Sequence, residues 1–363
     1  MTISYEKFGL KDVINASGRM TILGVSKVSP SVLAAQRFGG EHFFEMADLL
    51  EKTGAYLADL LDVEDAQIVS SASAGIAQSV AAVIGQGDLY HTYHPYTSRV
   101  TRREILLPKG HNVDYGTAVE VMVEMGGGRV VEAGYANMCT SEHIEMMVTA
   151  NTAAVLYIKS HHTVQKSMLT VKEAAAVAHR HGLPLIVDAA AEEDLFKYIR
   201  EGADLVIYSG AKAIEGPSAG LVIGKKELIS WVRLQGKGIG RGMKIGKDNI
   251  LGFTQAVEDY LANGSESGAA MQKRLVPFVA AINEISGLQA TIVQDGAGRD
   301  IYRASVKVSG PKTAKEVIQG LKLGNPAVYT REYQANNGII EFDVRSVNEN
   351  ELQKIVNQLK EII

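Results

Sequence analysis

Two residues in this chain stand where an acid and an amine would work as a pair. The apolar run Leu185-Ile186-Val187 delivers Asp188 at its carboxyl end, and a second run, Asp204 to Tyr208, delivers Ser209-Gly210-Ala211-Lys212. Short apolar runs separated by a helical stretch read as neighbouring buried strands of a parallel sheet, with their carboxyl ends along one edge. Pyridoxal phosphate needs such a pair: an amine that condenses with its aldehyde, and a carboxylate that keeps its pyridine nitrogen protonated so that the ring accepts electrons. Each residue also has a plainer reading, Asp188 as a turn cap and Lys212 as a solvated surface charge.

Upstream, Ala66 to Val69 reads as a strand that opens into Ser70-Ser71-Ala72-Ser73-Ala74-Gly75, ahead of the helical run Ile76 to Ile84. Small residues let backbone N–H groups approach an anion, the hydroxyls donate, and the helix amino end is positive. Ser73, Ala74 and Gly75 are therefore expected to hold the cofactor phosphate. The same composition suits an ordinary helix cap, and the loop lacks the lysine of a Walker loop. The strand Ala153 to Ile158 leads into Lys159-Ser160-His161-His162 at the ligand edge, where one of the histidines, His162 among them, is expected to bond the cofactor or the substrate. Metal binding is not expected, because adjacent histidines share no helical face and no carboxylate completes a site at regular spacing.

The elements that position these residues alternate between strand-like and helix-like as far as Leu234, which implies a mainly parallel sheet covered on both faces. The cationic, glycine-rich segment Gly236 to Lys247 follows, with Lys237, Arg241, Lys244 and Lys247. It suits a solvated loop or the recognition of phosphate or carboxylate. A long helix from an Asp248 cap to Leu261 and a Gly264–Gly268 linker precede a small α+β region with an antiparallel sheet. The expected organisation is an arm over residues 1–45, a large domain over 46–246, a connection over 247–268 and a small domain over 269–363. The arm has little apolar periodicity of its own, so a homodimer or larger symmetric assembly is expected.

Composition narrows the classes. Of 363 residues, 46% are hydrophobic and 21% charged, and the longest apolar runs fall well short of the roughly 20 residues of a membrane span. A net charge of −4 gives no overall cationic surface for a nucleic acid. The single cysteine, Cys139, and a start without the features of a secretory signal point to the cytoplasm.

The stretch around Asp188 and Lys212 resembles the centre of fold-type-I pyridoxal-phosphate enzymes. Four places are similar to the selenocysteine synthase (L-seryl-tRNA selenium transferase) family and its shorter relatives. They are Ile14-Asn15-Ala16-Ser17-Gly18; Ser209-Gly210-Ala211-Lys212 with Gly216-Pro217-Ser218-Ala219-Gly220; Met243-Lys244-Ile245-Gly246-Lys247; and Asn325 to Arg331 followed by Phe342-Asp343-Val344-Arg345. The resemblance implies an α/β large domain with a mainly parallel seven-stranded sheet, a small α+β carboxyl-terminal domain and an amino-terminal arm. It implies Lys212 as the cofactor lysine and Asp188 as its pyridine partner, with Ser209 beside them. It also implies a residue stacked on the ring, His111 with Tyr115 as the substitute. Arg241, Lys244, Lys247 and Arg331 are expected at the substrate, across a subunit boundary or within one chain.

The acidic charge, and an arm that begins almost at residue 1 where the tRNA-dependent members carry a further domain, argue against tRNA as substrate. The shorter relatives imply an ammonia-lyase that eliminates water from a phosphorylated 2-amino sugar acid. Selenium or sulfur transfer, another amino acid lyase or racemase reaction, and a non-catalytic cofactor-binding protein are the alternatives.

Overall fold

The computed structural model describes residues 3–160, 162–295 and 299–363. Among these the strands are, in chain order, β1 (Val13–Ala16), β2 (Asp65–Val69), β3 (Glu104–Pro108), β4 (Arg129–Ala133), β5 (Thr152–Ile158), β6 (Leu185–Asp188), β7 (Leu205–Ser209), β8 (Gly220–Gly224), β9 (Leu288–Gln294), β10 (Tyr302–Val308), β11 (Ala327–Thr330) and β12 (Ile339–Asp343). The chain divides into two units, Met1–Lys27 with Ser265–Ile363, and Val28–Gly264.

In the larger unit seven strands form one sheet in the order β2-β8-β7-β6-β5-β3-β4. Strand β8 runs antiparallel to β2 and β7, and the β7-β6-β5-β3-β4 pairings are parallel. This is the mainly parallel, seven-stranded sheet expected of the fold class. Every residue of β5 is buried, as in a sheet covered on both faces. One covering helix, Val171–Arg180, starts at a capping box between Thr170 and Glu173 and buries Ala174, Ala175, Val177 and Ala178. Another, Ala72–Gly85, is buried at every position from Ala74 onward.

Away from the ligand edge, Asp204 fixes where β6 and β7 begin. Its buried carboxylate accepts from Leu185 N–H at 2.7 Å and meets Lys225 Nζ at 2.5 Å and His179 Nε2 at 2.8 Å. With the starts tied, the far ends align: Asp188 is in register with Ile158 of β5 and Ile207 of β7.

Two local expectations change. Periodicity gives no element in the first forty residues, yet Pro30–Glu41 is a helix, with the Ser29 side chain accepting from Val32 N–H and Pro30 in its first turn. The long helix begins at Lys247 with Gly246 as its cap, so Asp248 lies in the first turn, where its charge meets the positive helix end.

In the smaller unit β9, β10 and β12 make the antiparallel sheet, in the order β12-β10-β9, while β11 pairs outside it, parallel to β1. Phe278 and Phe342 meet edge-on at 5.7 Å in its core. Arg303, 3% exposed, bridges Asp295 at 2.7 Å and Asp343 at 3.1 Å, and Arg345 adds a bond to Asp343 at 2.8 Å. Burial opposes the charge on Asp343, but the two arginines outweigh it and hold the carboxyl at about 2. The Asn15–Gly18 turn closes on itself through Asn15 Nδ2 to Gly18 O at 2.7 Å. Gly18 has φ +93°, and a Cβ there would stand 3.1 Å from Asp343 Oδ2. Two of the four family-like motifs thus meet at one buried carboxylate.

Candidate active site

Asp188 closes β6 and is 7% exposed. Its Oδ1 accepts from Ala190 N–H at 3.1 Å, and among the described residues no cation makes an ion pair with it. Burial pushes the carboxyl up to about 6, against the Ala190 N–H and the nearby charge of Lys212. Lys212 is half-buried in the turn that follows β7. That turn is built from backbone bonds, Gly210 N–H to Ala219 O and Gly216 N–H to Gly210 O, both 2.8 Å. A Cβ on Gly210 would lie 2.9 Å from the Phe253 ring, so only glycine lets the turn fold back this tightly. Ser209 N–H donates to Ala190 O at 3.2 Å, which ties the Asp188 loop to the Lys212 turn.

The Ser70–Gly75 stretch is a helix start. Ser71 is the cap, its Oγ accepting from Ala74 N–H at 3.0 Å while its carbonyl accepts from Gly75 N–H at 3.0 Å. The first-turn N–H groups of Ala72 and Ser73 lie ahead of these bonds, on the helix amino end. Gly75 is needed for another reason than phosphate approach: its Cβ would come within 2.9 Å of Ile207 Cγ2 and 3.2 Å of Val222 Cγ2. The helix therefore lies directly on β7 and β8, next to the register partner of Asp188. Gly220 was legible only as part of a motif. A Cβ on it would meet the Ser71 carbonyl carbon at 2.5 Å, so the end of β8 supports the loop from behind.

His111 is fully buried. Its Nδ1 accepts from Ile158 N–H at 3.4 Å, its Nε2 meets Val164 O at 3.1 Å, and Tyr157 packs edge-on at 4.5 Å. Burial lowers its pKa to about 4, so the ring is neutral and tied to β5 and the chain beyond it. The half-buried Tyr115 instead lies where both Ser73 and Asp188 act on its phenol. His162 is on an exposed turn with its N–H on Ser160 Oγ at 3.2 Å, and His161 falls outside the described residues.

The cationic segment lines a cavity of about 430 Å³ with Arg241, Lys244 and Lys247, over apolar walls that include Leu50, Ile68 and Met243. Its side along Gln67-Ile68-Val69 is the end of β2, which runs straight into the Ser70–Ser71 loop. The cations differ in state. Arg241 and Lys244 are exposed. Lys247 Nζ is bound to three carbonyls at the end of the helix Pro30–Glu41, Gly39 at 2.5 Å, Gly40 at 2.9 Å and His42 at 2.6 Å. Those bonds use all three of its donors. In the smaller unit, Arg331 Nε is 3.4 Å from Glu341 Oε2, and its guanidinium lies over Tyr333.

Among the described residues no helix is long and apolar enough to cross a membrane. The family described as L-seryl-tRNA selenium transferase (SelA) matches residues 95–284. A D-glucosaminate-6-phosphate ammonia lyase of Salmonella typhimurium is 45% identical over 361 residues, covering 99% of this chain and 97% of that protein. A 5'-C-glycyluridine monooxygenase-decarboxylase of a Streptomyces species is 35% identical over 368 residues, covering 100% of this chain and 92% of that protein. A solved structure of D-glucosaminate-6-phosphate ammonia-lyase superposes with a TM-score of 0.94 at 44% identity, covering 100% of this chain and 98% of that one. With the match over residues 95–284 and relatives alike from end to end, the chain belongs to the L-seryl-tRNA selenium transferase (SelA) family.

Proposed function

We propose that this protein is a pyridoxal-phosphate-dependent ammonia-lyase that converts D-glucosaminate 6-phosphate to 2-keto-3-deoxygluconate 6-phosphate and ammonia. The observation that carries the reading is the end-to-end likeness, in sequence and in fold, to an ammonia lyase of that name. The residues present fit the cofactor. A desolvated carboxylate without an ion-pair partner, Asp188, suits a ring N–H, and the capped helix start at Ser71–Ser73 suits a phosphate.

Bound pyridoxal phosphate supplies an aldehyde for amines and a ring that takes up the electrons left when a C–H bond breaks. Lys212 would be the amine that holds the cofactor's aldehyde, and as a neutral amine beside the substrate it would take the C2 proton. Asp188 holds the proton on the ring nitrogen. Ala72 and Ser73 hold the cofactor phosphate through backbone N–H groups, with the Ser73 hydroxyl beside them. The C3 hydroxyl then departs with a proton as water, and a second water replaces nitrogen at C2, releasing ammonia. One water leaves and one enters, so the net change is loss of ammonia.

Lys244 and Arg241 bind the far phosphate of the substrate, and that remote binding orients C2 and C3 for the chemistry. Lys247, whose donors are occupied by the helix end, shapes this site. Arg331 takes the substrate carboxylate through its planar fork. A symmetric homo-oligomer and a cytoplasmic location belong to the same proposal. The buried Cys139, its thiol pushed up to about 11 by burial, fits a reducing compartment. The test is a panel of phosphorylated and unphosphorylated amino sugar acids, amino acids and seryl-tRNA with a selenium donor, followed for keto-acid and ammonia release. Selenium transfer to tRNA, with the sugar acids inert, would overturn it.

A further inference from the structure

Tyr115 sits at the tip of a tight, hydrogen-bonded turn. The ends of that turn, Asp114 and Ala118, are bridged. Within it Tyr115 N–H donates to Thr117 O at 3.1 Å, and Gly116, at φ +110°, donates to Asp114 Oδ1 at 2.7 Å. The ring packs against the hydrophobic cluster that contains Ile76 and Val80 of the helix Ala72–Gly85, and Ala72 packs against the same cluster. The phenol oxygen is buried, and among the described residues it has no hydrogen-bond partner. Ser73 is near enough for its side chain to act on the phenol as a hydrogen-bonding group, and Asp188 acts through its charge, but neither meets the phenol oxygen with the geometry of a made bond.

A buried hydroxyl normally has a partner, because leaving one unmade forfeits its hydration without return. Burial keeps this phenol protonated, Asp188 adds to that against the opposing Ser73 side chain, and at neutral pH the group is a donor. The donors around it at the helix start, the N–H groups of Ala72 and Ser73, favour an anion. We propose that Tyr115 is a positioning residue that donates a hydrogen bond to the anion held at the head of the helix Ala72–Gly85, the cofactor phosphate, beside Ser73. This rests on the cofactor assignment above.

The test compares wild type with Tyr115→Phe, each stripped of cofactor and titrated by absorbance with pyridoxal phosphate and with pyridoxal, which lacks the phosphate. The expected result is that Tyr115→Phe weakens pyridoxal phosphate binding by about 10-fold or more, as for a bond to a charged group, and changes pyridoxal binding by less than about 2-fold. Because the hydroxyl lacks a protein partner, the cofactor-free variant should melt at or above the wild-type temperature. Equal losses for the two compounds, no loss for either, or a cofactor-free variant that melts lower or fails to fold would each overturn the inference. Failure of the wild type to take up pyridoxal phosphate would instead overturn the cofactor reading beneath it.

Discussion

Asp188 feels Lys212 across the ends of β6 and β7: burial raises its carboxyl, the Ala190 N–H and the lysine's charge draw it back, and the balance leaves it at about 6. Without a cofactor, the fold therefore keeps an acid in a setting that disfavours its charge. Sites arranged for chemistry at the expense of local stability look like this.

The first prediction concerns pH. The folded pKa of Asp188 lies above its ordinary value near 3.8. The fold thus binds that proton more readily than the unfolded chain does, and the resulting stability is present at low pH and lost as pH rises through about 6. Asp188→Asn should stabilise the cofactor-free protein by about 1–3 kcal/mol at pH 8 and by little at pH 3 to 4, in urea unfolding. Turnover should fall at least about 100-fold, since a neutral amide cannot hold the ring nitrogen protonated. Near-normal turnover would reduce Asp188 to a turn cap.

Two glycines should fail in different ways. Gly75→Ala drives a methyl into Ile207 and should cost about 1–3 kcal/mol of stability as an overpacked core. Gly220→Ala presses on the Ser71 backbone, so its clearest effect should be weaker pyridoxal phosphate binding. Cofactor affinity unchanged in Gly220→Ala would show that β8 does not support the loop.

The cations should also separate. Lys247→Met removes three bonds from the end of the helix Pro30–Glu41 and should lower stability by about 1–3 kcal/mol, with the preference for a phosphorylated substrate retained. Lys244→Ala should leave stability nearly unchanged and reduce kcat/KM for the phosphorylated acid about 10-fold or more, sparing the unphosphorylated one. Stopped-flow or steady-state kinetics with both acids decides. An equal loss for the two acids in Lys244→Ala would remove it from phosphate recognition.

The parts legible in the sequence were those with strong local signals. β5, β6 and β7 are short apolar runs, and parallel order alone carries Asp188 and the Lys212 turn to one edge. What stayed hidden depends on contacts distant in sequence. β1 has four residues and no periodicity, and its partner β11 lies some 300 residues on. The three donors of Lys247 are satisfied by carbonyls about 205 residues earlier. His111 and Tyr115 illustrate the same limit: both follow β3, and only packing buries the first under β5 while it turns the second toward Ser73. Gly75 reads in sequence as a glycine of a phosphate loop, and its close approach to Ile207 and Val222 of the sheet is visible only in the fold.

The most direct measurement is the product balance with D-glucosaminate 6-phosphate, made with the cofactor-loaded enzyme with and without oxygen. The account predicts one ammonia and one 2-keto-3-deoxygluconate 6-phosphate per substrate consumed, at the same rate in both conditions and with no carbon dioxide. A requirement for oxygen, release of carbon dioxide, or an inert substrate beside an intact cofactor would contradict it.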